Sequence, residues 1–171
     1  MGFQNLQGQE ITVPVSLQIE LLIRILAFER THLDSGDQKT HIAIVYQSNF
    51  RKSNNARSEI LSTLAITGKN QVVVKEIDLD QNSFEEVLIQ QKSRVILVCP
   101  LRSYPIEKIT SLSRKQGILT ATIVAEYVRK GITIGIEVER DRPHILINMG
   151  AARLEQANFD SRLLSIARLV E

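Results

Sequence analysis

The chain of 171 residues lacks features that several classes of protein require. It has no tryptophan, and Cys99 is its single cysteine, which excludes an intramolecular disulfide. Its longest apolar segment, 17–28, is shorter than the roughly 20 residues of a membrane span and is interrupted by Gln18, Glu20 and Arg24. The net charge of +2 is too small for a nucleic-acid-binding protein, which needs a dense basic face. We therefore expect neither direct membrane insertion nor a nucleic-acid partner.

Composition and length indicate one globular domain. Hydrophobic residues make up 43% of the chain and charged residues 23%, which is typical of a globule. Residues 1–10 are polar and have neither the basic start nor the apolar core of a signal peptide. We expect a disordered extension over 1–10 and one domain over 11–171.

Apolar runs of strand length alternate with segments of helical periodicity. The first helix has an apolar stripe made of Leu17, Leu21, Ile25 and Phe28. Ser83 and Glu86 have the spacing of a capping box, and Gly117 is placed to end a later helix. The predicted elements are helices over 17–30, 58–65, from 83 onward and over 103–116, and strands over 41–46, 71–77, 94–99 and 118–124. Such alternation indicates parallel βαβ units with helices on both faces of one sheet.

The last forty or so residues carry the clearest pattern. Residues 131–149 alternate in polarity around a polar turn and predict an antiparallel hairpin, with Ile132, Ile134, Ile136 and Val138 on one face. Asp160 and Ser161 can cap a terminal helix, whose stripe is Leu163, Leu164, Ala167 and Val170. Asn148, at a strand end, is predicted to bind free backbone N–H groups. The predicted fold class is α/β, a three-layer α/β/α sandwich with a mostly parallel sheet, a C-terminal antiparallel hairpin and a terminal helix.

Residues that carry catalytic chemistry are scattered. The three histidines, at 32, 41 and 144, lie in different elements without a second metal ligand at the right spacing, so no metal site or cofactor is expected. Cys99 ends an apolar strand and is interpreted as a buried, inert thiol. Asp78 and Asp80 follow a strand and are interpreted as a solvated turn.

A polar segment, 47–57, lies between the first strand and a helix, where open α/β sheets bind ligands. It contains Arg51, Lys52 and Arg57 but no glycine, so neither the dinucleotide fingerprint nor the nucleotide-triphosphate loop is present. We interpret it as a polar surface loop. The alternative is a small anionic ligand held by Ser48 and Arg51, together with Arg102 after the third strand.

Residues spread over nearly the whole chain resemble a known family. Toward the C-terminus, the residues on which the resemblance rests are Gly131, Ile147-Asn148, Ala151-Ala152 and a helix with Ser161, Leu163-Leu164 and Ala167. Toward the N-terminus, they are the amphipathic helix 17–30, the strand 41–45 and Asn49-Phe50. In these the sequence resembles the YfiR-like family of small bacterial periplasmic proteins, which regulate membrane-bound diguanylate cyclases. The sequence departs from the family in three ways. Residues 28–30 occupy the place where family members usually have Trp-Pro, the cysteine pairs of several members are absent, and no signal peptide is visible. The periplasmic location implied by the resemblance therefore supposes a signal peptide already removed.

The resemblance implies a non-enzymatic repressor that binds the periplasmic sensor region of a membrane-bound diguanylate cyclase. Cyclic di-GMP signalling and biofilm formation would fall as a result, and the family also suggests a homodimer. Tyr104, Phe159 and Arg162 are the predicted partner-binding anchors, with core packing as the alternative for Phe159. A second hypothesis is a small-molecule-binding module like one lobe of a solute receptor. A third, an enzyme of flavodoxin-like shape, lacks a glycine-rich loop, paired carboxylates and a metal cluster.

Overall fold

A computed structural model describes residues 13–29, 39–69, 71–81 and 83–171. Its helices are α1 (Val15–Leu26), α2 (Arg51–Thr67), α3 (Phe84–Gln91), α4 (Ile106–Gln116), α5 (Glu126–Arg129), α6 (Met149–Leu154) and α7 (Ser161–Ile166). Its strands are β1 (Thr40–Tyr46), β2 (Val72–Asp78), β3 (Val95–Val98), β4 (Leu119–Thr122), β5 (Ile134–Glu139), β6 (Arg142–Asn148) and β7 (Arg168–Val170). The predicted extension over 1–10 and His32 lie outside the described residues.

The strands form one seven-stranded sheet in the order β2-β1-β3-β4-β5-β6-β7. Neighbouring strands are parallel except β5 and β6, which form the predicted antiparallel hairpin. The chain runs from β1 outward to β2 and then returns past β1 to β3. Because parallel crossovers are right-handed, this change of direction places α2 on one face of the sheet and α3 and α4 on the other. Helix α1 packs against α2. The predicted three-layer α/β/α class is confirmed.

Three predictions for the first three helices differ from the structure. Helix α1 buries Val15, Gln18, Ile19, Leu22 and Ile25, whereas Leu17 and Phe28 of the predicted stripe are each 38% exposed. Ile25 and Leu21 of the stripe do pack in the core. At the start of the helix Gln18 lies inside instead of Leu17, and its amide donates to the carbonyls of Val13 and Ile123. Helix α2 begins at Arg51, so most of the predicted loop 47–57 is helical. The predicted capping box is absent, since the Ser83 side chain makes no cap hydrogen bond.

The C-terminal helix is shorter than predicted. Asp160 caps it as expected, its side chain accepting a hydrogen bond from the backbone N–H of Arg162. The helix ends at Ile166, however, and Ala167 turns into β7, which pairs in parallel with β6. Leu163 is 3% exposed and is the core residue of this helix, while Leu164 is only partly buried. The predicted helix after the hairpin is present and docks through Leu163, but it ends earlier than predicted because β-pairing at the sheet edge takes the last residues.

Caps and turns of the second half follow the sequence closely. The Asn148 side chain accepts from Ala151 N–H at 2.8 Å and donates to the Val128 carbonyl at 2.9 Å, which confirms its predicted structural role. Gly117 ends α4 with φ of 63°. The hairpin turns at Arg140 and Asp141, which both have positive φ, as a two-residue turn between right-twisted strands requires.

A buried carboxylate joins four parts of this half. Glu155, just after α6, is 1% exposed. It accepts from Ser113 Oγ (3.1 Å), Thr120 N (2.8 Å), Thr120 Oγ1 (2.7 Å) and Thr133 Oγ1 (2.6 Å). Burial raises the pKa of Glu155, and these hydrogen bonds offset part of the rise. The one hydrogen of the Ser113 hydroxyl has two acceptors within reach, Glu155 and the Thr110 carbonyl at 2.9 Å.

We predict that Glu155→Gln removes a pH dependence of stability. A carboxyl whose pKa is higher in the folded than in the unfolded chain binds more protons when folded, so stability falls as pH rises from 4.5 toward the folded pKa. The amide mimics the neutral acid and cannot titrate. Urea unfolding between about pH 4 and pH 8 should show the wild type losing stability relative to the variant. Parallel pH profiles would contradict this, as would a variant weaker by about 2 kcal/mol at every pH.

We also predict that Leu163→Ala costs about 2–5 kcal/mol of unfolding free energy, because it empties a core position. Leu164→Ala, on the same helix but only partly buried, is the matched control and should cost clearly less. Urea midpoints of the two variants measure the difference. Equal losses, or a larger loss at Leu164, would mean that α7 docks by another face.

Candidate functional site

The reversal of strand order between β1 and β3 defines the site where sheets of this kind bind ligands. The carboxyl ends of the two strands part there and leave a crevice between their following loops. We call it the switch crevice; it is lined by Gln47 and Ser48 after β1 and by Leu101 and Arg102 after β3. All three predicted ligand residues, Ser48, Arg51 and Arg102, lie at this edge.

The amide of Gln47 fills the switch crevice. Gln47 is 4% exposed, and its Oε1 accepts from the backbone N–H of Arg102 at 2.8 Å. Its Nε2 donates to Asp80 Oδ1 and to Ser103 Oγ, both at 3.0 Å. One side chain therefore joins the loops that follow β1, β2 and β3. No sequence motif marks Gln47, although its position directly after a buried strand was available as a signal.

Two aspartates accept hydrogen bonds from backbone N–H groups of the loop after β1. Ser48 N–H donates to Asp78 Oδ1 at 3.1 Å, and Asn49 N–H donates to Asp80 Oδ2 at 2.8 Å. Burial alone would raise the pKa of Asp78, but hydrogen bonds from Ser48 and from the Asp80 N–H outweigh it and lower that pKa. Asp78 ends β2 and Asp80 lies in the turn after it, both partly exposed, and their carboxylates bind the N–H groups that would otherwise face a bound anion.

Helix α5, which was not predicted from the sequence, contacts the loop after β3 that forms one side of the switch crevice. The Tyr127 hydroxyl accepts from Leu101 N–H at 2.9 Å and donates to the Leu101 carbonyl at 3.3 Å. Burial raises the pKa of Tyr127. The neighbouring Cys99 is fully buried, and desolvation raises the pKa of its thiol, as expected of an inert cysteine.

The cations predicted for this edge do not converge on one point. Arg51 is exposed at the first turn of α2. The Arg102 guanidinium lies over the Phe50 ring, 5.5 Å from its centroid. Arg57 lies in α2, where it pairs with Glu76 at 2.6 Å and covers the Tyr46 ring. The crevice thus offers a ligand few unused polar groups among the residues described.

A groove of about 630 Å³ lies between α3 and α4 and contains Tyr104. The Tyr104 ring packs edge-on against Phe84, with centroids 6.4 Å apart, and Lys108 lies over its face. The other lining residues are Ser83, Glu85, Glu107, Ser111, Leu112 and Lys115. Tyr104 is therefore half-buried in a groove with a charged rim.

The other two predicted anchors lie beside α7. Phe159 is 7% exposed and belongs to the core, which agrees with the core-packing alternative. Arg162 is bound to Asp160 at 3.1 Å, and its guanidinium lies over the Phe28 ring at 5.7 Å. Ile166, four residues along the same helix, is 70% exposed. We call Phe28, Arg162 and Ile166 the α7 patch.

The rest of the described chain holds no assembled metal site. His41 lies in β1 and His144 in β6, and no three His, Cys, Asp or Glu side chains among the described residues could hold an ion together. Over the same residues, every helix is too short or too polar to cross a bilayer.

Comparison with solved structures shows the fold. One similar structure is the ABC domain in complex with L-Trp from Streptococcus pneumonia, with a TM-score of 0.65 and 14% identity over 92% of this chain. Others are a conserved domain protein from Vibrio cholerae (TM-score 0.64, 15% identity, 92% of this chain) and CD0873, a substrate binding protein with adhesive properties from Clostridium difficile (0.61, 14%, 93%). The chain spans 60% of the length of each.

Comparison with sequences gives the family. No curated protein sequence matches this chain significantly. The family model described as DUF4154, YfiR/HmsC-like, matches residues 16–168, from α1 to β7. The match covers strands β1 to β6 and the first residue of β7, and it includes the parts in which the resemblance was recognised. The chain belongs to the YfiR/HmsC-like family.

Proposed function

We propose that the protein is a non-enzymatic periplasmic repressor that binds the periplasmic sensor region of a membrane-bound diguanylate cyclase. Membership of the YfiR/HmsC-like family supports a regulator. The structural observation that carries the proposal is the switch crevice, which Gln47, Asp78, Asp80 and Tyr127 fill with hydrogen bonds inside the chain. Where the usual ligand site of the fold is occupied by the protein itself, recognition falls to the outer surface.

Repression then requires only differential binding. A regulator that binds the inactive conformation of the cyclase more tightly than the active one shifts the population toward the inactive state. A shift from 1:99 to 99:1 needs about 5.5 kcal/mol of difference between the two affinities. No group of the repressor has to react, which agrees with the inert Cys99 and the scattered histidines.

The α7 patch is the surface that we propose for the cyclase. Five of the seven most exposed large hydrophobic side chains of the described residues lie in or beside α1, α6, α7 and β7: Leu17, Phe28, Leu154, Ile166 and Leu169. The segment before α7 is fixed to the end of α1, since Asp160 N–H donates to the Phe28 carbonyl at 3.0 Å. An exposed aromatic ring under an arginine, with apolar neighbours, is typical of interface hot spots. The α3–α4 groove has a charged rim and a tyrosine already packed against Phe84.

A pull-down against the periplasmic region of a co-encoded cyclase tests this assignment. Ile166→Ser and Arg162→Glu should each weaken binding about tenfold or more, because they remove an apolar anchor and reverse a charge. Ile66→Ser is the matched control, since Ile66 is 79% exposed on α2 and lies outside the patch. It should bind like the wild type.

The other outcomes discriminate among surfaces. Loss of binding in Tyr104→Ala, with Ile166→Ser unaffected, would move the interface to the α3–α4 groove. No binding by the wild type would contradict the repressor and favour the small-molecule module. A homodimer, which the family suggests, is measured separately by analytical ultracentrifugation of the free protein.

The small-molecule module is the second candidate, favoured by the likeness to a domain solved with L-Trp and to a substrate binding protein. A ligand at the switch crevice would have to displace the Gln47 amide and break its hydrogen bonds. We therefore predict no heat of binding when L-tryptophan is titrated into the wild type by calorimetry. Measurable binding that Gln47→Glu abolishes would establish the module instead.

A further inference from the structure

The tip of the β5–β6 hairpin forms a second recess, away from the switch crevice. It has a volume of about 430 Å³ and is lined by Glu139, Arg140, Arg142, His144 and Arg168. In the sheet, Glu139 is opposite Arg142, and Glu137 is opposite His144. Arg168 joins them from β7, so the pairing of β7 with β6 contributes to the recess. We call it the hairpin-tip recess.

The recess carries an excess of positive charge. Its lining has three arginines and His144 against one carboxylate. Arg168 is neutralised, since it pairs with Glu139 and lies 3.8 Å from Glu137, which also binds Arg129 at 3.0 Å. Arg140 and Arg142 have no ion-pair partner among the described residues. Asp141 lies between them in the turn, and arginine cannot lose its charge in a protein.

His144 lies against Arg168 in the recess. Its Nε2 is 3.2 Å from Arg168 Nη2, and a guanidinium can only donate. Nε2 is therefore the acceptor, and the ring proton lies on Nδ1. The imidazole is thus held with its N–H turned away from Arg168. The recess combines two unpaired guanidinium forks with this fixed imidazole.

We propose that the hairpin-tip recess binds a small anionic metabolite bearing two or more phosphate or carboxylate charges. Guanidinium forks match both groups in bidentate geometry, and charge-assisted hydrogen bonds of this kind are roughly twice as strong as neutral ones. Arg140 and Arg142 supply the attraction. Arg168, fixed by Glu139 and His144, provides a rigid floor. The proposal does not rest on the α7 patch or on the proposed cyclase partner.

Isothermal titration calorimetry with the full chain at low ionic strength tests the site. Pyrophosphate and citrate are the two probes, which represent phosphate and carboxylate chemistry, and sodium chloride of equal ionic strength is the blank. The variant is Arg140→Ser with Arg142→Ser, whose side chains are exposed and make no ion pair to lose. Lys52→Ser with Lys69→Ser removes the same charge from exposed positions at and beyond the ends of α2.

Binding of either probe, weakened about tenfold or more in the arginine variant and unchanged in the lysine control, supports the proposal. The probe that binds more tightly identifies the chemical class. Three results overturn it: no binding of either probe to the wild type, equal binding by the arginine variant, or an equal loss in the lysine control. The last would mean a general response to net charge. Equal melting temperatures of the variants verify that folding is unaffected.

Discussion

The hydrogen bonds of Gln47 are the constraint on which the functional end of this molecule depends. Loops after parallel strands leave backbone N–H groups that need acceptors, and in many α/β proteins a bound ligand supplies them. Here Gln47 accepts from Arg102, while Asp78 and Asp80 accept from Ser48 and Asn49. The strand ends are therefore complete without a ligand. In the proposed function, this fold serves as a frame whose outer surface binds the partner.

A second internal network keeps that outer surface in place. Glu155 holds the segment between α6 and α7 against α4 and β4, and the Glu29 carboxylate accepts from Asn158 N–H at 2.8 Å, next to α7. Arg162 and Ile166 of the α7 patch thus lie on a short helix that is fixed at its base by polar contacts and by Leu163. Fixing an interface before binding lowers the ordering cost of association. The same segment leads into β7, which completes the hairpin-tip recess, so both proposed binding surfaces depend on one stretch of chain.

The sequence predicted the fold better than the site, for physical reasons. Strand runs such as 41–46 and the alternation in 131–149 are set by burial, which a local pattern records. The predicted start of α2 was too late because residues 51–57 are mostly polar, as in a loop. Only Ser53 and Ala56 among them are buried, so this part of the helix shows little apolar pattern. The end of α7 was missed because pairing with β6 overrides helical spacing. The role of Gln47 rests on contacts with residues 33 to 56 positions away, and no local pattern encodes them.

Hydrogen–deuterium exchange of the protein with and without the periplasmic region of its co-encoded cyclase tests the central claim most directly. Exchange reports which backbone amides the partner protects. The account predicts added protection in peptides covering the end of α1 and residues 158–167. It predicts no change in the loops 47–50 and 101–103, whose N–H groups are already bonded within the chain. Protection of those two loops, with 158–167 unchanged, would contradict the claim that the switch crevice is closed and that the α7 patch does the binding.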